Sequence, residues 1–410
     1  MSHNESEQGT ETTGRSSRLG RILRPLLALA ILAFVLSKVP WRDTVSYTPE
    51  GQDKLTITGT LQGAWRGQMV EFLPDQDADI AAWPASIVEA ASAQTYTSIV
   101  RQPTGSFEWQ PGMPRVFSEI DPGGLLPAML LVLIGPLVFA SARWWRLLAL
   151  AGCATRFLVA MRLTMLSLFF NLVMPGLTGG DLVKAVLVVR RHPDRRADAL
   201  VTVVIDRALG LVVLVGLACA VVLATGDRFA ELKLWVTLAF LGLVFALWML
   251  MHPGARRLFR FDAIIARLPQ RERFEKVDAA LQQYARHPSE MVIAVLLTVG
   301  NHLSIAGATY FLARAYGERL LSYLDMLAIA SVANTISAIP LSPSGWGVGE
   351  FAFSKLFSMV EADPTVGVAV SITFRLLMMA LGLAGGLLLL LPGGEDVRSG
   401  IEEAKGEEGA

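Results

Sequence analysis

The chain has 410 residues, of which 53% are hydrophobic and only 18% charged, with a mean hydropathy of +0.47. A soluble protein carries about 25% charged residues, so this composition argues for a polytopic membrane protein and against a soluble globular one. Lysine and arginine balance aspartate and glutamate at 36 each, which leaves no basic surplus for nucleic acid. Two cysteines, Cys153 and Cys219, lie in separate apolar segments. They support neither a disulfide framework nor a metal cluster and read as packing residues.

In chain order, residues 1–21 open with a polar stretch expected to be disordered and cytoplasmic. Arg15, Arg18, Arg21 and Arg24 lead into "PLLALAILAFVLS", and "SKVPWRD" offers no small-x-small cleavage site. Residues 22–41 are therefore expected to be an uncleaved transmembrane anchor with the arginines inside. Residues 42–122 form a polar insert with eleven acids and five bases. "DKLTITGTLQG" and part of "GQMVEFLP" alternate apolar and polar side chains, which predicts short strands and a small β-rich extracytoplasmic insert. A docking role for an envelope-pathway protein is one expectation for this insert.

Apolar blocks follow near 124–142, 157–174, 199–224, 232–251, 289–313, 324–340 and 364–391. Positive clusters at "RWWR" (Arg143–Arg146), "RRHPDRR" (Arg190–Arg196) and 252–288 predict a cytoplasmic side for all three. Residues 262–286 read as an amphipathic helix on the inner surface or as a solvated linker. The last residues, 393–410, are expected to be an acidic disordered tail.

One strongly apolar stretch separates the first two positive clusters, and a single crossing cannot join two points on one side. "NLVMPGLTGGDLVKA" (Asn171–Ala185) resolves the parity. Pro175 removes a backbone donor and the glycines, Gly179 and Gly180 among them, permit a sharp turn. The segment thus reads as helix, break, helix, returning to the side it left. Irregular backbone at that depth is tolerated only beside protein or a wet cavity. The pattern recurs in "ANTISAIPLSPSGWGVGEFAF": Asn334, Pro343, Gly345, Gly347 and Gly349, then Glu350 at the start of an apolar helix. Two matched interruptions predict inverted repeats around a midplane site. The expected fold is an all-α polytopic membrane protein with about 7–8 membrane segments. Two of its helical hairpins are broken and re-entrant, and the β-rich insert is added to it.

Charges inside apolar blocks mark the candidate site, because each costs roughly 2.5–3.5 kcal/mol at the bilayer centre. Arg375 requires an anion, for which Glu350 and Asp181 are the candidates. Asp206 and Arg207 are expected to satisfy each other or face the cavity, and Lys184 stands one turn from Asp181. His302 reads as an interhelical hydrogen-bonder. Asn171, Asp181, Lys184, Asp206, Arg207, Asn334, Glu350 and Arg375 form the predicted substrate-binding set, suited to a zwitterionic or anionic lipid headgroup. A nucleotide loop is excluded because five residues after Gly176 stands Asp181 where the second glycine is required. No hydrolase or metal motif appears, so no cofactor and no metal are expected.

"NLVMPGLTGGDLVKAVLVVRR", "VTVVIDRALGLVVL", "IPLSPSGWGVGEFAF" and the arginine of "ITFRLLMMALG" occur in that order. Together they resemble the integral membrane, flippase-like domain of the lysylphosphatidylglycerol synthetase family, over residues of about 124–392. The resemblance implies a stand-alone member, acting on membrane lipids in the cytoplasmic (inner) membrane of a bacterium. It implies translocation of a polar-headgroup phospholipid or an isoprenoid-linked lipid. It does not carry over the aminoacyl-transfer activity, so the protein is expected not to be an enzyme. A lipid-modifying transferase and a non-catalytic scaffold are the alternatives.

Overall fold

The alternation in "LTITGTLQ" becomes a strand whose inward side chains, Ile57 and Leu61, are buried. It belongs to a five-stranded antiparallel sheet in the order β4-β3-β2-β1-β5. The strands are β1 (Asp43–Tyr47), β2 (Leu55–Gln62), β3 (Met69–Pro74), β4 (Thr97–Val100) and β5 (Phe107–Gln110). In this computed structural model the described residues are 41–48, 55–65, 69–76, 80, 83–100, 107–173, 179–258, 278–280, 282–284, 286–338 and 347–387. The predicted anchor (22–41, Trp41 apart), the tail (393–410), and Pro175, Pro343 and Gly345 lie outside them. So does most of 262–286.

Two short helices complete the insert: α1 (Ala85–Ala93) between β3 and β4, and α2 (Met113–Ser118) after β5. Asp43 locks β1 to the segment before α2. Its buried carboxylate accepts hydrogen bonds from the Leu61 amide at 2.8 Å, the Gly112 amide at 2.6 Å and Arg115 Nη1 at 3.3 Å. Asp43→Ala is expected to cost about 2–4 kcal/mol, since two buried amides and a guanidinium lose their acceptor. Hydrogen exchange should register this as faster exchange across 43–47 and 55–62 with the membrane helices unchanged.

The insert is seated on the helices rather than tethered. Phe117 of α2 meets Tyr316 edge-on at 6.1 Å, and the Asp121 amide donates to Ala315 O at 2.8 Å. Asp121 then caps α3 (Pro122–Leu150) by accepting from the Gly123 amide at 3.0 Å, with Pro122 at the first helical position, where no donor is needed. Within α3 the residues Gly135–Ala140 form a π-helical turn around Pro136. Such a turn adds about one residue to the local period, so everything beyond it is rotated by roughly 100°. Trp144, Leu147, Leu148 and also Arg143 then face the interior.

The chain continues as α4 (Phe157–Val173), α5 (Gly179–Arg191), α6 (Arg196–Ala224), α7 (Ala230–Met251) and α8 (Pro253–Leu258). It ends as α9 (Pro288–Ala315), α10 (Tyr323–Ser337), α11 (Val348–Met359) and α12 (Pro364–Leu387). Among the described residues five helices are long and apolar enough to cross a membrane: 122–150, 193–224, 226–249, 288–315 and 364–387. α4, α5, α10 and α11 are shorter, at 17, 13, 15 and 12 residues, or roughly 18–26 Å at 1.5 Å per residue. Each falls short of a hydrocarbon core of about 30 Å. They are the elements on either side of the two predicted interruptions. Cys153 and Cys219 are both buried and unpaired with one another, as packing residues should be.

Candidate functional site

α4 and α5 lie side by side as a pair. The Gly180 amide donates to Asn171 Oδ1 at 2.9 Å. A Cβ on Gly180 would collide with the Ser167 carbonyl, so glycine is what lets the start of α5 rest on α4. The two outer ends of the pair meet the same surface, where Arg195 Nη1 donates to Ala151 O at 3.5 Å. Gln283 reaches that surface too, donating to Leu150 O at 2.7 Å. α10 and α11 form the other pair, starting from the end of the bundle that carries the insert. Arg228, in the α6–α7 connection, binds Asp325 in the first turn of α10 at 2.7 Å. Ser322 and Asp325 complete a capping box there.

Between α3, α4, α5, α6 and α9 lies a cavity of about 480 Å³, reached at its top by Ala338 just beyond α10. Its polar wall is a buried triad. Asp206 receives Arg143 Nε on Oδ1 at 2.7 Å and Lys184 Nζ on Oδ2 at 3.1 Å. All three side chains are 10% exposed or less. Arg143 Nη1 also donates to Thr298 Oγ1 at 3.1 Å. Lys184 Nζ stands 3.9 Å above the Trp144 ring, whose own Nε1 donates to Thr202 Oγ1 at 3.2 Å. Each side chain of the triad thereby has two partners.

Asp181 lines the same cavity from the first turn of α5, where the helix N-terminus favours an anion. Its Oδ2 accepts from Arg207 Nε. His302 Nε2 lies 3.1 Å from Gly210 O, and because a carbonyl only accepts, that nitrogen carries the proton. The three cations Arg143, Lys184 and Arg207 outnumber the carboxylates Asp181 and Asp206 on the wall, leaving one positive charge in excess.

Depth along the helices follows from 1.5 Å per residue. Arg143 and Lys184 stand seven residues before Leu150 and Arg191, roughly 10 Å in, and Asp206 ten after Arg196, roughly 15 Å in. Glu350 lies nine residues before Met359 and Arg375 eleven after Pro364, roughly 14 and 16 Å from the insert end. The two groups therefore sit at similar middle depths, counted from opposite ends.

Glu350 and Arg375 make a pair of their own. Arg375 Nε stands 2.7 Å from Glu350 Oε1, which also accepts from the Ser371 hydroxyl at 3.3 Å. Glu350 Oε2 accepts from the Gly347 amide at 2.6 Å and closes the start of α11. Gly347 has φ +81°, a left-handed conformation that costs glycine nothing. Gly349 leaves room for the Arg375 guanidinium, which a Cβ would strike.

A profile of the family described as the lysylphosphatidylglycerol synthase TM region matches residues 112–386. The chain belongs to that family. No curated protein matches the chain. Membership ties this protein to membrane-lipid metabolism or transport. The family region begins at Gly112, about a dozen residues ahead of the boundary expected near 124, and so takes in α2, which packs against the helices.

Within the family region, the predicted residues fall into two groups. Asn171, Asp181, Lys184, Asp206 and Arg207 share the cavity wall. Glu350, Arg375 and the half-buried Asn334 of α10 are not among the residues that line it. Partners also differ from expectation. Lys184 binds Asp206 and not Asp181, which is taken by Arg207, on the same helix α6 as Asp206. Of the two alternatives for Asp206 and Arg207, facing the cavity holds and mutual pairing does not: adjacent in sequence, they point about 100° apart on a helix and take different partners. Arg375 does take Glu350, one of its two expected anions. Arg143 was assigned to a cytoplasmic cluster, yet it is a member of the triad. Its signal is its place four residues before Leu147 on the buried face of α3.

Proposed function

We propose that this protein translocates a lipid with a phosphate-bearing headgroup, either a polar-headgroup phospholipid or an isoprenoid-linked lipid. In this reading the protein is flippase-like and not an enzyme. The α4–α5 and α10–α11 pairs are re-entrant hairpins entering from opposite faces as inverted repeats, and the cavity is the midplane headgroup site. With the predicted anchor this gives eight membrane segments, in a cytoplasmic membrane with the N-terminus inside and the insert outside.

The observation that carries the reading is the cavity: a surplus cation and a buried Arg143–Asp206–Lys184 triad at mid-depth, flanked by Leu168, Leu211 and Leu214. A headgroup phosphate finds charge-assisted donors there, while acyl chains stay on apolar helix surface. Both wall carboxylates are held by cations, which leaves neither placed as a general base and favours passage over chemistry. The basic residues of 190–196 and the α8 arginines at the end away from the insert support the orientation.

Purified protein in proteoliposomes should expose inner-leaflet fluorescent phosphatidylglycerol to an external quencher faster than empty vesicles. Lys184→Met should cut that rate about tenfold or more, losing one charge-assisted contact to the headgroup. A rate no different from empty vesicles, for protein whose melting is intact, would falsify the proposal. If cells lacking the protein were missing a lipid species outright, the transferase would be favoured instead.

A further inference from the structure

Arg207 occupies an unusual position. It lies in the middle of α6, a helix of 29 residues, yet its side chain is 54% exposed. Leu200, Val204 and Leu211 are exposed with it at helical spacing, so one continuous stripe of α6 faces outward and the guanidinium interrupts it. On α5 the neighbouring Leu182 is exposed as well. Asp181, which Arg207 holds through Nε, is only 13% exposed and belongs to the cavity wall. The Arg207–Asp181 contact therefore joins the outer surface to the cavity across the α5–α6 seam. Among the described residues the Nη edge of Arg207 has no hydrogen-bond partner.

If these helices stand in a membrane, as the translocation reading holds and as this inference requires, the stripe faces acyl chains. An arginine on such a stripe is costly unless an anion accompanies it. Asp181 supplies one anion. The open Nη edge is the fork that receives a second, and a lipid phosphate matches it in charge and geometry. Exchange of one anion for the other at no point leaves the guanidinium unpaired.

We propose that the α5–α6 seam is the lateral mouth of the cavity. Arg207 captures the phosphate of a lipid whose chains lie along Val204 and Leu211, and Asp181 is the competing anion that holds Arg207 closed until a phosphate arrives. The mouth selects for phosphate-bearing amphiphiles against neutral ones, because a headgroup without phosphate gives Arg207 no reason to leave Asp181.

The test uses the full chain in vesicles of phosphatidylglycerol and diacylglycerol, with a photo-crosslinking residue at Val204 or, as control, at Leu241 on the exposed face of α7. Crosslinks at 204 are expected to favour phosphatidylglycerol about tenfold more than those at 241, the worth of one charge-assisted contact. Arg207→Gln should bring position 204 down to the control ratio, and Asp181→Asn should raise it. Equal ratios at the two positions would overturn the proposal, as would indifference to Arg207→Gln. Should that variant fail to fold, the unsubstituted chain and Asp181→Asn decide the matter. Millimolar glycerol phosphate that abolished the enrichment would identify a soluble phosphate source and also overturn the mouth. Transport without enrichment removes this mouth and leaves translocation standing. Enrichment without transport keeps the mouth as a lipid-binding seam and removes translocation.

Discussion

Asp206→Ala is expected to be the most damaging single substitution in the helical bundle, costing about 3–5 kcal/mol. Asp206 is the only anion touching Arg143 and Lys184 among the described residues, and both cations are buried. Removing it leaves two buried cations without their carboxylate. Arg143 ties α3 to α6 and α9, and Lys184 ties α5 to α6, so relaxation would part four helices. The measurement is thermal unfolding of purified protein in detergent. A replacement of the whole triad, Arg143→Met with Lys184→Met and Asp206→Leu, should recover most of the lost stability, since apolar packing serves as well as a buried ion cluster. It should not recover lipid movement. That split separates what the triad does for the fold from what it does for the headgroup. A wild-type melting temperature for Asp206→Ala would show that the cluster is not closed as described.

Gly180→Ala is expected to cost more than Gly349→Ala, although both add one methyl to a helix start. At Gly180 the new carbon meets the backbone carbonyl of Ser167, which cannot swing aside, and Asn171 Cγ at 2.8 Å. α5 must shift on α4, with an overpacking penalty of about 1–3 kcal/mol and loss of the Asn171 hydrogen bond besides. At Gly349 the obstacle is the end of the Arg375 side chain, which can reorient at lower cost. Gly242→Ala on α7 is the control: nothing lies within 4 Å, and a gain of about 0.5–1 kcal/mol is expected from helix propensity. Melting of the three variants should rank Gly242→Ala, Gly349→Ala, Gly180→Ala from highest to lowest. Transport should fall with Gly180→Ala even in molecules that remain folded, because Asp181 is the next residue.

That α4 and α5 are separate helices lying side by side was legible, because glycines and a carboxylate in an apolar block have few other uses. Asn171 and Gly180 are joined by a hydrogen bond, and Ala151 and Arg195 meet where the pair begins and ends. The strands at 55–62 and 69–74 were equally visible, since an alternating pattern buries one face whatever it packs on. The pairing of charges was not legible. Sequence reading left Asp206 and Arg207 either to satisfy each other or to face the cavity. Both face it with different partners, because neighbours one residue apart on a helix point in different directions. That Lys184 pairs with Asp206 and not with Asp181 one turn away was decided by packing against α6. Nor could Arg143 be found from the positive-inside pattern, because charge counting is blind to which face of a helix an arginine occupies. Here a π-helical turn at Gly135–Ala140 stands between the membrane entry of α3 and that arginine and resets its direction.

By itself the sequence determined the class of the protein, the apolar helices, the two interrupted segments and the identity of the intramembrane charges. All of these depend on composition and local periodicity, which operate over a few residues. Only the tertiary structure decided that Asp206 closes a triad with Arg143 and Lys184, and that Asp181 reaches out to Arg207. It also set Glu350 and Arg375 apart as a brace for α11 rather than on the cavity wall. Those outcomes depend on the rotation of whole helices about their axes, and that rotation is set by packing between elements as much as 155 residues apart, as from Arg143 to Thr298.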